Sequence, residues 1–337
     1  MGRKGIVGLV LAGAGVAGVT GGIVAERAMI RAQRQRPDPV AGVDTGLRPD
    51  VIGRLLTMSD GGRLRVLEQG TGPAILLLHG ITLAASIWHF QLPELAAAGY
   101  RVVAYDQRGH GASTVGREGL TLDRLAADLA EVLDALDLGQ VVLVGHSMGG
   151  MVALRYLAGD REATTGHGRI GALALVATSA NPVVGSGIPG ARAVIAAARP
   201  LLSRAAWATS RLPGPSLGGG DLSFLLARVT FGDEPSTSQV ALTRDITAAV
   251  PARVAAELLS EIVRYDEFAT LDHLDLPTTI VVGTNDLMTP VRHARTMTDV
   301  IAGADLVTLE GCGHMVMLER PEELATALEK LAGRVLP

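Results

Sequence analysis

The chain has 337 residues, a formal net charge of −4 and 48% hydrophobic side chains. This length accommodates one large domain with an insertion, and the apolar content is sufficient for a sizeable core. The small negative charge gives no signal for nucleic-acid binding. Cys312 is the only cysteine, which excludes a disulfide within the chain. The sequence shows no zinc-type Cys/His spacing, no P-loop and no G-x-G-x-x-G after a strand, so we expect no metal and no cofactor.

The first predicted element is an apolar segment over residues 6–25, which has no charged residue among its 20 positions. Twenty apolar residues span a bilayer as a helix. Basic residues flank the segment on both sides, and the larger cluster follows it (Arg27, Arg31, Arg34 and Arg36). Positive charge after the span predicts a membrane anchor, within residues 1–36, that leaves the rest of the chain on the cytoplasmic side. The alternatives are a cleavable signal peptide and a Gly/Ala-rich helix packed on a cytoplasmic protein.

Residues 37–51 are rich in Pro, Gly and Asp and are predicted to form a linker. Strands and helices then alternate over residues 52–177 and again over 271–337. This alternation predicts a mainly parallel sheet with helices on both faces. One helix is expected over residues 122–136, with Thr121 as its N-cap. The pattern breaks between residues 178 and 270, which indicates an insertion into this α/β core.

The most informative motif is Gly145-His146-Ser147-Met148-Gly149, between a predicted buried strand and a predicted helix. A G-x-S-x-G sequence in this setting is typical of a nucleophile elbow. The turn raises the serine hydroxyl above the sheet edge, and the glycines allow neighbouring backbone to approach closely. The following helix points its N-terminus at the serine, which favours a developing negative charge. The motif therefore indicates Ser147 as a nucleophile.

A serine hydroxyl needs a base, and the base needs an orienting acid. Asp286 follows a predicted strand, and residues 287–290 are expected to open the next helix. His314 lies in a Gly-rich loop after a further strand. The carboxyl ends of parallel strands meet at one edge of a sheet, where ligands bind. The sequence therefore predicts a relay of Ser147, His314 and Asp286, against the simpler interpretation of a turn aspartate and an unrelated polar histidine.

Four motifs together resemble those of the α/β-hydrolase fold superfamily, and within it the serine esterases and lipases. They are Leu78-His79-Gly80-Ile81, Asp106-Gln107-Arg108-Gly109-His110-Gly111, the serine elbow, and Gly311-Cys312-Gly313-His314 followed by Glu319-Arg320-Pro321. The resemblance runs from about Leu55 to the C-terminus. It implies a sheet of the eight-stranded type and a helical cap, or lid, over residues 178–270.

The resemblance also assigns roles at the site. The backbone N–H groups of Ile81 and Met148 are expected to form the oxyanion hole. Structural roles are expected for His79, His110 and His146, and hydrogen bonds from Asp106 and Arg108 are expected to pin a loop. The cap carries four arginines and no acid in its first half, which suggests either a membrane-facing or acyl-gating lid or an ordinary helical cap with solvated arginines (Arg192, Arg199, Arg204 and Arg211).

The function that the resemblance implies is hydrolysis of a small-molecule carboxylic ester through an acyl-enzyme. Epoxide hydrolases and haloalkane dehalogenases of this fold carry Asp at the elbow, and Ser147 argues against both. A C–C bond hydrolase, a thioesterase or a perhydrolase would use the same triad, so these alternatives stay open. A ligand receptor with an intact triad is the alternative from a different class of protein.

Overall fold

The structure is a computed structural model that describes residues 51–159, 168–181 and 227–336. Eight strands of these residues form one sheet. Their bounds are β1 Ile52–Thr57, β2 Arg63–Gln69, β3 Ala74–Leu78, β4 Arg101–Tyr105, β5 Val141–His146, β6 Ile170–Val176, β7 Thr278–Gly283 and β8 Asp305–Leu309.

The sheet has the strand order β1-β2-β4-β3-β5-β6-β7-β8. The first three strands in this order pair antiparallel, and every pair from β4 onwards is parallel. Strands β3, β5, β6 and β7 are buried at every position. Central parallel strands are covered on both faces, which is why their sequences are continuous apolar runs. The predicted mainly parallel sheet is confirmed.

Helices of the described residues cover both faces of this sheet. Leu129, Val152 and Met297 contribute to a hydrophobic core on one face, and Leu95 and Leu328 contribute to the core on the other face. The helices are α1 Gln91–Ala97, α2 Leu122–Ala135, α3 Met148–Gly159, α4 Thr237–Ala249, α5 Ala252–Arg264, α6 Val291–Val300, α7 Val316–Glu319 and α8 Pro321–Ala332, with 3-10 turns at Ala85–Trp88 and Phe268–His273.

Two predicted helix starts have different outcomes. The side chain of Thr121 accepts a hydrogen bond from the N–H of Arg124 and caps α2, as predicted. The expectation that residues 287–290 open a helix is wrong, because α6 begins at Val291. Asp286 Oδ1 instead accepts hydrogen bonds from the N–H groups of Met288, at 2.8 Å, and Thr289, at 2.9 Å. A carboxylate that bonds the backbone two and three residues ahead stabilises a turn rather than a helix.

Several predictions fall partly or wholly outside the described residues. The possible membrane anchor at 6–25 and the four cap arginines are among them. Within residues 51–159, 168–181 and 227–336, no helix is long and apolar enough to cross a membrane. Helices α4 and α5 lie in the described part of the predicted cap, and the domain boundaries stay predictions.

Candidate active site

Ser147 lies at the turn between β5 and α3, with a φ of +52°. This left-handed conformation is uncommon for a residue other than glycine and is held by surrounding contacts. Its N–H donates to the carbonyl of Val176 at 3.0 Å. The hydroxyl of Thr178 donates to the carbonyl of Ser147 at 2.7 Å. Residues at the end of β6 and just after it therefore hold both the N–H and the carbonyl of Ser147.

The two glycines of the elbow stand where backbone segments meet. A Cβ on Gly145 would lie 2.5 Å from the Cα of Gly150. A Cβ on Gly149 would overlap the carbonyl oxygen of Leu78 at the end of β3. Both positions therefore require glycine for close approach, as the motif predicts.

The loop after β3 passes directly beside the elbow. A Cβ on Gly80 would lie 2.9 Å from Nδ1 of His146 and 3.0 Å from Cβ of Ser147. The next residue of this loop is Ile81, and Met148 follows the serine at the start of α3. Neither of these two N–H groups donates a hydrogen bond to a residue that the structure describes. Two backbone donors thus stand next to the candidate nucleophile.

His314 and Asp286 form a buried pair, with 2.8 Å between Nδ1 and Oδ2. Oδ2 of Asp286 also accepts the hydroxyl of Thr289 at 2.8 Å, while Oδ1 accepts two backbone N–H groups. Burial by itself raises the pKa of Asp286, but the electrostatic interaction with His314 and the hydrogen bonds from His314 and Thr289 hold that pKa below its usual value. An ionised Asp286 only accepts hydrogen bonds, so the proton of the shared bond belongs to Nδ1 and Nε2 is left as the basic nitrogen.

The backbone of His314 is also held. Its N–H donates to the carbonyl of Thr230 at 2.7 Å, and its carbonyl accepts a hydrogen bond from Nε2 of His146 at 3.0 Å. The rings of His146 and His314 are 4.8 Å apart. No direct hydrogen bond joins Ser147 to His314 in this structure. Such bonds are often long in unliganded enzymes and shorten when substrate binds.

Two further histidines connect the loops around the site. Nε2 of His79 accepts the N–H of Gln107 at 2.9 Å, and Nε2 of His110 accepts the N–H of Thr82 at 3.2 Å. Burial lowers the pKa of His79 to about 3 and also lowers the pKa of His110. Both imidazoles are therefore neutral acceptors at neutral pH, which agrees with the structural roles expected for them.

Asp106 and Arg108 pin the loop after β4, as expected. Arg108 is fully buried and pairs with Asp60 at 2.9 Å and Asp128 at 2.6 Å. Asp106 accepts a hydrogen bond from the N–H of Ala85 at 2.8 Å. These contacts fix the loop that carries His110, and through it the loop beside the elbow.

The sequence profile of the alpha/beta hydrolase family matches residues 75–327, which include all three members of the proposed relay. The chain belongs to the alpha/beta hydrolase family. It is thus a hydrolase, and the fold implies a small-molecule substrate. Within the described part of the chain, no group of three or more His, Cys, Asp or Glu side chains could hold a metal ion.

Proteins similar to this hydrolase include haloperoxidases and esterases. It is 30% identical to a non-heme haloperoxidase of Rhodococcus erythropolis, over 77% of this chain and 92% of that protein. It is 28% identical to the non-heme chloroperoxidase CPO-A1 of Kitasatospora aureofaciens, over 78% of this chain and 93% of that protein. A thermophilic esterase from Thermogutta terrifontis has a similar structure, with a TM-score of 0.69, 26% identity and coverage of 85% of this chain and 99% of that chain.

Sequence reasoning missed several residues that hold the site of this hydrolase. Thr178 bonds the serine carbonyl, Thr289 bonds Asp286, and Glu319 bonds the loop of His314. Asp286 carries the turn signal that could have pointed to Thr289, because aspartate side chains bond backbone N–H groups just ahead of them. Glu319 stands in the fourth sequence motif, but that motif predicts no contact for it. Thr178 and Glu319 act across contacts between distant segments, which spacing does not reveal.

Proposed function

We propose that this hydrolase cleaves carboxylic esters through an acyl-enzyme on Ser147. The observation that carries the proposal is the buried pair of His314 and Asp286, which lies at the same sheet edge as the positive-φ elbow of Ser147. An imidazole oriented by a buried acid, at the sheet edge that carries the serine, is the kind of base that activates a hydroxyl as a nucleophile.

In the proposed mechanism, the hydroxyl oxygen of Ser147 attacks the ester carbonyl while Nε2 of His314 takes the proton. Asp286 stabilises the imidazolium that forms. The N–H groups of Ile81 and Met148 bind the oxyanion, each contributing about 3 kcal/mol. Collapse of the tetrahedral intermediate breaks the bond to the alcohol, which leaves with the proton from His314. Water, activated by the same imidazole, then releases the acid and restores the serine.

The test is turnover of p-nitrophenyl esters of increasing acyl length by the wild type and by Ser147→Ala. Loss of the nucleophile should reduce kcat by on the order of 10⁶-fold. Ser59→Ala is the matched control, because Ser59 is an exposed serine near β1. Undiminished turnover by Ser147→Ala would contradict the proposal. Tight binding of an ester without turnover by the wild type would instead favour a receptor.

A second candidate reaction is perhydrolysis, favoured by the relatives named as non-heme haloperoxidases. Hydrogen peroxide would replace water in the second step, so that the acyl group leaves Ser147 as a peracid. The peracid would then oxidise a halide ion to the hypohalous acid and become the carboxylate. Peracid formation from acetate and hydrogen peroxide, lost in Ser147→Ala, would support this reaction. Absence of peracid in the wild type would discard it.

We also propose that residues 6–25 anchor the protein in a membrane with the catalytic domain on the cytoplasmic side. The proposal rests on the uncharged apolar stretch and the basic cluster after it. Deletion of residues 1–36 should move the protein from the membrane fraction to the soluble fraction. Full-length protein in the soluble fraction would overturn the anchor.

A further inference from the structure

We propose that Glu319 is a positioning residue for His314, acting through a carboxylate bridge between the loop of that base and the chain segment 227–233. The inference rests on the proposed function, because it assigns a residue that supports the same base. Oε1 of Glu319 accepts the N–H of Gly313 at 2.9 Å, and Oε2 accepts the N–H of Gly232 at 2.7 Å. One carboxylate therefore binds the residue directly before His314 and a residue of a distant segment.

The two bridged backbones lie in close contact. A Cβ on Gly313 would overlap the backbone of Gly232, and a Cβ on Gly232 would overlap the carbonyl of Gly311. Two further bonds run between the same segments, from the N–H of Asp233 to the carbonyl of Gly311 at 3.0 Å, and from the N–H of His314 to the carbonyl of Thr230 at 2.7 Å. Residues 230–233 of the segment thus pack on the loop of residues 311–314, the base loop.

The chemistry of the bridge requires a carboxylate. Both contacts are N–H donors, and an ionised carboxylate offers two acceptor oxygens and no donor. Hydrogen bonds to an ionised acceptor are about twice as strong as those between neutral groups. On the other side of the loop, the N–H of Asn285 donates to the carbonyl of Cys312 at 2.8 Å, which ties the base loop to the residue before Asp286. Glu319 and Asn285 therefore hold the base loop from opposite sides.

We therefore expect Glu319 to affect the orientation of His314 as well as the stability of the folded protein. The neighbouring side chains of α7, Met317 and Leu318, are fully buried in the core, so the helix stays anchored when the carboxylate is removed. The Gly313 and Gly232 N–H groups then lose this carboxylate acceptor. The loop that carries His314 keeps its bonds to Thr230, Asp233 and Asn285 but loses the bridge directly beside the base, so we expect His314 to shift. A displacement of about 1 Å between reacting groups costs on the order of 100-fold in rate.

Segment 227–233 lies within the insertion predicted over residues 178–270. The bridge therefore connects described residues of that insertion to the loop of the base. A movement of this segment would displace His314 through the bond to Thr230 and through the bridge of Glu319.

The test compares Glu319→Gln with Glu323→Gln. The first substitution keeps the size of the side chain but points an amide donor at one of the two N–H groups. The second removes the same charge from α8, where Glu323 is exposed and contacts Arg320 at 3.7 Å. Turnover of a p-nitrophenyl ester is measured per site labelled by a fluorophosphonate. The proton resonance of Nδ1–H of His314 is recorded in parallel, because it reports the bond to Asp286 without turnover.

We expect kcat per labelled site to fall by on the order of 10–100-fold in Glu319→Gln, with KM changed by less than about twofold. The His314 resonance should shift or broaden in this variant and stay unchanged in Glu323→Gln. Glu319→Asp keeps a carboxylate on a shorter side chain and should recover part of the lost activity. It also serves as the test variant if Glu319→Gln does not fold.

Two results would overturn the inference. One is an unchanged kcat and an unchanged resonance in Glu319→Gln. The other is a lower melting temperature with normal kcat per labelled site, which would make the bridge a source of stability only. Ser147→Ala separates this failure from that of the proposed function. Turnover retained in Ser147→Ala contradicts the ester mechanism itself, whereas an inactive Ser147→Ala with a normal Glu319→Gln contradicts the bridge alone.

Discussion

Replacing Asp286 with Asn should abolish most of the activity while leaving the shape of the site almost unchanged. Four hydrogen-bond donors converge on the Asp286 carboxylate: the two N–H groups of Met288 and Thr289, the hydroxyl of Thr289 and Nδ1–H of His314. An asparagine supplies one acceptor oxygen and one donor group in the same space. If its oxygen keeps the two backbone bonds, its NH₂ group faces Nδ1 of His314.

This donor forces His314 into the other tautomer, with the proton on Nε2. An Nε2–H group cannot accept the proton of Ser147, so the base is lost even though every atom is close to its former place. The loss expected from a wrong tautomer is about 10⁴-fold in kcat. At about 1.36 kcal/mol for each factor of ten, this corresponds to about 5.4 kcal/mol of transition-state stabilisation.

The assay is steady-state turnover of a p-nitrophenyl ester, with the concentration of folded protein measured by circular dichroism. Asp299→Asn on α6 is the matched control, because Asp299 is exposed and lies far along the helix from the site. Its kcat should equal that of the wild type. A kcat for Asp286→Asn within about tenfold of the wild-type value would refute the assigned role of Asp286.

Three further predictions concern the surroundings of the site. Gly80→Ala places a Cβ 3.0 Å from Cβ of Ser147, so the loop that carries the N–H of Ile81 must move and ester turnover should fall by about 10²–10³-fold with the protein still folded. Arg108→Leu removes the ion-pair partner of buried Asp60 and leaves buried Asp128 with Arg124, so it should lower the free energy of unfolding in urea by about 3–5 kcal/mol. Burial lowers the pKa of His79 and of His146 to about 3, below the unfolded value of about 6.5. Below about pH 6.5 the unfolded state therefore binds more protons than the folded state. For each histidine, the free energy of unfolding should fall by about 1.4 kcal/mol per pH unit as the pH is lowered from 6 to 4. His79→Gln should reduce this slope in urea titrations by about 1.4 kcal/mol per pH unit, and an unchanged slope would contradict the assignment.

The sequence alone predicts the strands and the order of Ser147, Asp286 and His314 along the chain. Continuous apolar runs such as Val141–Val144 mark strands that are buried on both faces, and the structure places β5 there. Ser147 and Asp286 follow such runs, His314 follows the partly buried edge strand β8, and parallel strands bring their carboxyl ends to one edge. Spacing and periodicity are therefore sufficient for the location of these residues along the sheet edge.

The sequence does not predict the contacts that orient His314 and Asp286. The bond from His146 to the carbonyl of His314 and the bonds of Glu319 to Gly232 and Gly313 join segments that are remote along the chain. Local patterns carry no information on such pairs. The residues after Asp286 are compatible with the start of a helix, but the backbone N–H groups of Met288 and Thr289 donate to its carboxylate and form a turn instead.

The measurement that tests the central claim most directly is fluorophosphonate labelling followed by peptide mass spectrometry. The relay predicts one adduct, on the hydroxyl of Ser147, in the wild type. It also predicts no adduct in Ser147→Ala and much slower labelling in His314→Ala. Equal labelling of the wild type and Ser147→Ala, or an adduct on a different residue, would contradict a nucleophile at the elbow between β5 and α3.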